Sequence, residues 1–99
     1  MTSSTFRIDG ELTIYRAAEL AAAMAAALAG VARGDALELD LSEVAEMDCA
    51  GVQLLLAARR SADESGRTLR LAGRSAAVDE VLAILRLADH FGDAVAQPH

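Results

Sequence analysis

Three consecutive segments decide the fold: Leu37-Glu-Leu-Asp-Leu41, then Met47-Asp-Cys-Ala-Gly51, then the run Val52-Gln-Leu-Leu-Leu-Ala-Ala-Arg-Arg60. The leucines of the first segment alternate with acidic residues, which predicts a strand with one apolar face. The last segment is rich in strong helix formers. Cys49 is therefore expected at or just before the start of a helix, where free backbone N–H groups and the helix dipole favour anionic groups.

Similar patterns extend towards both ends of the chain. Two alternating segments flank Asp9-Gly10, a dipeptide typical of tight turns, so they are expected to pair as a hairpin. Gly66 is placed as the residue that ends the second helix, and Ser75 as the N-cap of the third. The predicted strands are Thr5–Ile8, Glu11–Ile14, Leu37–Leu41 and Thr68–Ala72, and the predicted helices are Tyr15–Ala29, Ala50–Ser65 and Ala76–Leu85.

The order of these elements is β-β-α-β-α-β-α, which predicts one α/β domain with a mixed sheet of about four strands and helices packed on it. The first two strands are expected to be antiparallel, and the two strand–helix–strand units to make right-handed parallel crossovers. The domain is placed at residues 5–95, between a flexible N-terminus at 1–4 and a tail at 96–99. A short helix or turn is expected at Leu87–Phe91 and an extended segment around Val95.

Composition narrows the class of function. The 99 residues carry a net charge of −6, and every cation is an arginine because lysine is absent. An acidic chain without a basic patch is a poor binder of nucleic acid and of anionic membrane surfaces. A single cysteine forms no internal disulfide, and neither a signal peptide nor a membrane-spanning segment is recognisable. The sequence therefore predicts a cytoplasmic protein with no direct membrane insertion.

Several motifs, taken in order, resemble the STAS domain of bacterial anti-sigma factor antagonists and related stand-alone proteins. They are Gly10-Glu-Leu12 before a helix, Leu39-Asp-Leu-Ser42, Met47-Asp-Cys-Ala-Gly51, Leu69-Arg-Leu71 and Val81-Leu-Ala-Ile-Leu85 followed by Phe91. The resemblance covers roughly residues 5–91. It implies a non-enzymatic, regulatory protein–protein interaction module in a bacterial signal-transduction complex, either antagonist-like or chemotaxis-associated.

The resemblance also implies a site. In the antagonists the motif reads Asp-Ser-Ser/Ala-Gly, and phosphorylation of its first serine by a kinase-type anti-sigma factor breaks the complex. Cys49 stands at that position, so the serine-kinase reaction is lost, and Thr13 stands where many antagonists have aspartate. Docking is expected through the turn and helix start Met47–Leu54, with help from the segment Glu11–Tyr15. The predicted partner-binding residues are Thr13, Met47, Asp48, Cys49, Gly51 and Val52.

The partner implied by the resemblance is an anti-sigma or histidine-kinase-like protein, or a chemotaxis component. A second interpretation is the cytoplasmic STAS subunit of a lipid-asymmetry ABC transporter, whose partner is the transporter ATPase. A third is a thiol redox switch through Cys49, against which stands the simpler view that this cysteine is a small replacement for serine.

No cofactor or catalytic residue is predicted. Asp48, Cys49, His90 and Asp93 are metal-ligand types, but their spacing fits no zinc pattern. His90 also lacks the orienting group that a Cys–His nucleophilic pair requires. The arginines between positions 59 and 74 are interleaved with Asp63 and Glu64, which favours a solvated charged face over an anion site.

Overall fold

A computed structural model of the chain describes residues 3–85, and these residues alternate regularly between strand and helix. Each strand is followed by a helix, and the first two helices lead to the next strand. The elements are β1 (Ser3–Leu12), α1 (Ala17–Ala29), β2 (Ala36–Met47), α2 (Cys49–Glu64), β3 (Thr68–Arg74) and α3 (Ala76–Ile84).

The sheet has the order β1-β2-β3, with β2 in the centre. Both pairings are parallel: Ser3 lies beside Ala36, and Ala36 lies beside Thr68. The prediction of one α/β domain with helices packed on a sheet is confirmed. The prediction of four strands in a mixed sheet is wrong, because the described residues form three strands and every pair is parallel.

The prediction of a hairpin at Asp9-Gly10 is wrong, because both residues lie within one continuous strand, β1. Gly10 has a φ of +78°, as a hairpin glycine would. Here, however, that conformation serves a bulge: the register with β2 shifts between Arg7 and Asp9 and again between Gly10 and Glu11. Arg16 Nη1 donates to the carbonyl oxygens of Asp9 at 2.6 Å and Glu11 at 3.0 Å, so it satisfies acceptors on both sides of the bulge.

One face of the sheet carries the core. Side chains from all three helices pack into the same cluster as the inward-facing strand residues, so the helices cover one side of the sheet. The residues that alternate with these on the strands, such as Arg7, Glu43 and Arg70, are exposed. The buried strand residues are Ile8, Leu12, Leu37, Leu39, Leu41, Val44, Leu69 and Leu71, and the buried helix residues include Leu20, Met24, Leu28, Leu55, Ala62, Val78 and Leu82.

The predicted N-cap of α3 and the predicted glycine after α2 agree with the structure, whereas α1 begins at Ala17 and not at Tyr15. Ser75 caps α3 by accepting from the Val78 N–H at 3.2 Å. Gly66 follows α2 with a φ of +77°, a conformation that glycine adopts readily. Among residues 3–85 no helix combines the length and hydropathy needed to cross a bilayer.

The expectations for Leu87–Phe91, Val95, His90 and Asp93 fall outside the described residues. The boundaries at 1–4, 5–95 and 96–99 stay predictions.

Candidate functional site

Asp48 joins two elements at the carboxyl end of the sheet. It is the N-cap of α2, and its Oδ1 accepts the Gly51 N–H at 3.1 Å. Its Oδ2 accepts the Ile14 N–H at 3.1 Å, from the loop after β1. The Ile14 N–H contributes most to holding the pKa of Asp48 below its ordinary value, and the amides of the first turn of α2 add to it. One carboxylate thus holds the helix start and the loop together.

Gly51 lets the first turn of α2 lie directly against the end of β1. A Cβ at this position would overlap the Leu12 carbonyl oxygen and lie 3.0 Å from Leu12 Cγ. The same carbonyl accepts the Asp48 N–H at 3.4 Å. The close approach of backbone to backbone therefore requires glycine here for reasons of space.

The loop between β1 and α1 is a turn fixed at both ends. Arg16 N donates to the Thr13 carbonyl at 3.0 Å, and Thr13 Oγ1 donates to Glu11 Oε1 at 2.9 Å. Thr13 is buried, whereas Ile14 and Tyr15 are 65% and 88% exposed. The turn therefore presents two large apolar side chains to solvent on a backbone held by hydrogen bonds.

Cys49 is the first residue of α2 and is solvent-exposed as a free thiol. It lies beside the Asp48 cap. We call the surface formed by Ile14, Tyr15, Asp48 and Cys49 the turn–helix surface.

The predicted site residues divide into two groups. Cys49 is exposed, and Asp48 and Met47 are partly exposed, so all three are accessible to another molecule. Thr13, Gly51 and Val52 are buried. They lie beneath the exposed residues, where Thr13 and Val52 contribute buried side chains and Gly51 permits the close approach of α2 to β1.

Ile14 and Tyr15 lie in the segment Glu11–Tyr15 that was expected to help docking, but neither was predicted as a partner-binding residue, because Ile14 was assigned to a strand and Tyr15 to α1. The helix begins at Ala17. A signal was present: Tyr15 does not fall on the stripe of Leu20, Met24 and Leu28 that α1 buries, so a core role for it was not supported.

The other charged candidates do not gather into a site. Arg59 lies near Asp63 at 3.7 Å, Arg70 near Glu38 at 3.8 Å, and Arg74 contacts Asp79 at 2.8 Å. These three arginines are thus distributed over α2 and β3, each with its own acidic neighbour. Within residues 3–85, no group of three or more His, Cys, Asp or Glu side chains is arranged to hold a metal ion.

Comparison with known proteins gives the fold and the family. The structure is similar to a sulfate transporter family protein from Wolinella succinogenes, with a TM-score of 0.70, 18% identity and coverage of 91% of this chain and 71% of that one. It is similar to the STAS domain of a SulP transporter from Vibrio cholerae, with a TM-score of 0.69, 21% identity and coverage of 91% and 68%.

The unphosphorylated form of the anti-sigma factor antagonist SpoIIAA is a third similar structure, with a TM-score of 0.70, 24% identity and coverage of 94% and 80%. No curated protein gives a significant match to the chain. A family model described as "Mlab, STAS domain" matches residues 2–95. The alternating α/β architecture, the capped helix start after the central strand and this match agree, and the chain belongs to the STAS domain family.

Proposed function

We propose that this protein is a non-enzymatic interaction module that docks a protein partner through the turn–helix surface. The observation that carries the proposal is the exposure of Ile14 and Tyr15, 65% and 88%, on a turn that Asp48 and Arg16 hold in place. Large apolar side chains on a fixed backbone lose little entropy on binding, and aromatic residues are frequent anchors of interfaces.

The context we propose is a cytoplasmic signalling complex of a bacterium, antagonist-like or chemotaxis-associated, with an anti-sigma or histidine-kinase-like partner. The likeness to SpoIIAA supports it through the fold. Cys49 lies at the helix start, at the position that the family resemblance assigns to the phosphorylated serine. It offers a thiol in place of a hydroxyl, so binding in this chain would be independent of serine phosphorylation at that position.

A second candidate is the STAS subunit of a lipid-asymmetry ABC transporter. The description of the matching family model and the two similar transporter structures favour a transport context. Under this candidate the turn–helix surface contacts the transporter ATPase. Genes for an ATPase and a permease beside this gene would favour the transporter, and genes for a kinase and a receptor would favour signalling.

A thiol switch is a third candidate, supported by the exposure of Cys49. If it operates, a mild oxidant weakens partner binding by the wild type and leaves the Cys49→Ser variant unaffected. Equal loss of binding in both proteins would exclude it.

The test of docking is a calorimetric titration of the chain with the purified products of its neighbouring genes. Tyr15→Ala is expected to weaken binding about tenfold or more, as truncation of an interface anchor does. Ile84→Ala is the matched control, because Ile84 is 73% exposed but lies at the end of α3, which runs away from the carboxyl edge of the sheet. Equal effects of the two substitutions would contradict the proposed surface.

A further inference from the structure

The strands carry more carboxylates than arginines. The six carboxylates of the strands are all on β1 and β2, in the part of the sheet opposite the core. Three arginines lie on the strands, and one of them, Arg74, contacts Asp79 of α3 at 2.8 Å. The carboxylates are those of Asp9, Glu11, Glu38, Asp40, Glu43 and Glu46.

The strand register places like charges side by side. Asp9 lies opposite Glu43, and Glu11 lies opposite Glu46, one step before Leu12 and Met47 at the strand ends. Like charges directly opposite on neighbouring strands destabilise a sheet. Arg7 lies 3.7 Å from Glu43 and relieves the first pair. Among residues 3–85 neither Glu11 nor Glu46 forms an ion pair, and the nearby Arg16 guanidinium is bonded to the Glu11 carbonyl oxygen and to Glu19.

The second carboxylate pair borders the apolar turn. Thr13, the residue before Ile14, donates its hydroxyl to Glu11. Asp48, two residues after Glu46, accepts the Ile14 N–H. The turn that carries the two exposed apolar side chains is therefore hydrogen-bonded to Glu11 and to Asp48, and Glu46 lies opposite Glu11 in the strand register.

Building on the docking function proposed above, we propose that the partner is a protein whose contact surface carries arginine or lysine around an apolar recess. The recess receives Tyr15, and the cations contact Glu11 and Glu46. Cations bound there would relieve the repulsion between the two carboxylates. The repulsion is present in the free domain and reduced in the complex, so its relief makes the free energy of binding more favourable. A second copy of the chain would bring its own carboxylates to the same place. Nucleic acid and anionic lipid are repelled for the same reason.

The opposing view is that the carboxylates only keep the domain soluble. A solubilising surface works best with both signs interspersed. Glu11 and Glu46 lie opposite each other without an ion pair of their own, so they depart from that arrangement at the end of β1 that leads to Ile14 and Tyr15. The two views differ in what neutralising this pair does to binding.

The test begins with a photo-crosslinking amino acid, p-benzoylphenylalanine, placed at position 15 of the full chain in cells that carry the native gene. The same group at position 60, exposed near the other end of α2, is the control. Mass spectrometry identifies the protein and the peptide captured at position 15 only. The captured partner is then purified and titrated with the wild-type chain and with charge variants.

The charge variant is Glu11→Gln combined with Glu46→Gln, which keeps side-chain size and the acceptor for Thr13. Its matched control is Glu64→Gln combined with Glu80→Gln, two exposed carboxylates on α2 and α3. We expect the strand variant to bind about fivefold more weakly or worse, and the control to bind as the wild type does. Wild-type affinity should also fall between about 50 and 300 mM salt, and the strand variant should lose part of that dependence.

A thermal melt accompanies each titration, and the strand variant should melt at or above the wild-type temperature because repulsion is removed. Wild-type affinity in the strand variant, affinity independent of salt, or a captured peptide from a surface without cations would overturn the basic-partner proposal. The capture at Tyr15 would still support docking in those cases. The absence of any adduct specific to position 15 would instead overturn the docking function itself.

Discussion

The Ile14 backbone N–H and the Asp48 carboxylate are joined by a hydrogen bond of 3.1 Å across 34 positions of sequence. The other oxygen of that carboxylate caps α2 through Gly51. The start of α2 and the turn that carries the exposed apolar pair are therefore held by the same side chain. Asp48 acts on the proposed interface chiefly by fixing its geometry.

Replacing Asp48 with alanine removes both hydrogen bonds. Loss of an N-cap alone typically lowers the melting temperature of a domain of this size by about 4–8 °C, and the loss of the Ile14 bond should add to that. Thermal melts followed by circular dichroism measure the effect. Ser75→Ala, which removes a single cap bond from α3, is the control and should cost less. A smaller loss in Asp48→Ala than in Ser75→Ala would contradict the bridging role.

The same carboxylate predicts a dependence on pH. Because the pKa of Asp48 is lowered in the folded state, chiefly by the Ile14 N–H, its stabilisation is complete above the ordinary aspartate range and is lost as the pH falls below it. The free energy of unfolding should therefore fall from about pH 5 downwards, and less steeply in Asp48→Asn than in the wild type. Urea denaturation at a series of pH values tests this. Parallel curves for the two proteins would count against the prediction.

Asp40 provides an independent comparison. Its pKa is also lowered, first by the Ser42 hydroxyl and then by the Ser42 amide. Asp40→Asn should flatten the pH dependence of unfolding separately from Asp48→Asn. Because the two carboxylates share no hydrogen-bond partner, the double variant is expected to show the sum of the two changes.

Gly51→Ala should be strongly destabilising. The new methyl group would overlap the Leu12 carbonyl, so α2 would have to move away from β1, at a cost of about 1–3 kcal/mol or more in free energy of unfolding. Gly30→Ala is the control, because its Cβ would lie 3.5 Å from the nearest oxygen, an ordinary contact distance. Chemical denaturation measures both. If Gly51→Ala were as stable as Gly30→Ala, the close approach of α2 to β1 would be disproved.

Cys49→Asp and Cys49→Glu should separate binding from folding. A negative charge in the first turn of a helix stabilises it by about 0.3–1 kcal/mol, so the melting temperature should be kept or raised. At the turn–helix surface the added charge lies beside Asp48 and must be desolvated when a partner docks, so affinity should fall several-fold or more. Cys49→Ser is the neutral control. Unchanged affinity would place the interface elsewhere, and a collapsed melt would show that Cys49 is needed for packing.

The helix start at the site could be predicted from sequence because its determinants are local. Asp48 precedes a helix-forming run and caps it, and Cys49 follows as the first helical residue. Ser75 and Gly66 mark helix ends by the same kind of local chemistry. A capping side chain needs only its own next few residues, so the pattern is sufficient.

The sheet was harder, because Asp9-Gly10 fits two structures. A hairpin and a bulge both use a glycine with positive φ, and the partner strand decides between them. Here β2 continues to Met47, well beyond the predicted end at Leu41, and its length gives the whole of β1 a parallel partner. That pairing is a long-range relationship that alternation within β1 does not reveal.

The exposure of Ile14 and Tyr15 could be predicted from sequence only in part. Tyr15 fits no core stripe of α1, which is readable from sequence, but its exposure depends on where the helix begins. Asp48 reaches the Ile14 N–H from a residue distant in the chain. The turn geometry that displays the pair therefore follows from a tertiary contact.

The parallel register has a consequence for how the chain acquires its structure. The strand that pairs with β1 is not the next segment of the chain. Ser3 pairs with Ala36 and Leu12 pairs with Met47, so both ends of β1 are synthesised well before their partners. During synthesis the first strand thus leaves the ribosome before its hydrogen-bonding partner exists. Such non-local pairing slows folding relative to a helical bundle of the same size. The charges of Arg7, Asp9 and Glu11 would then protect the unpaired strand from association with other nascent chains.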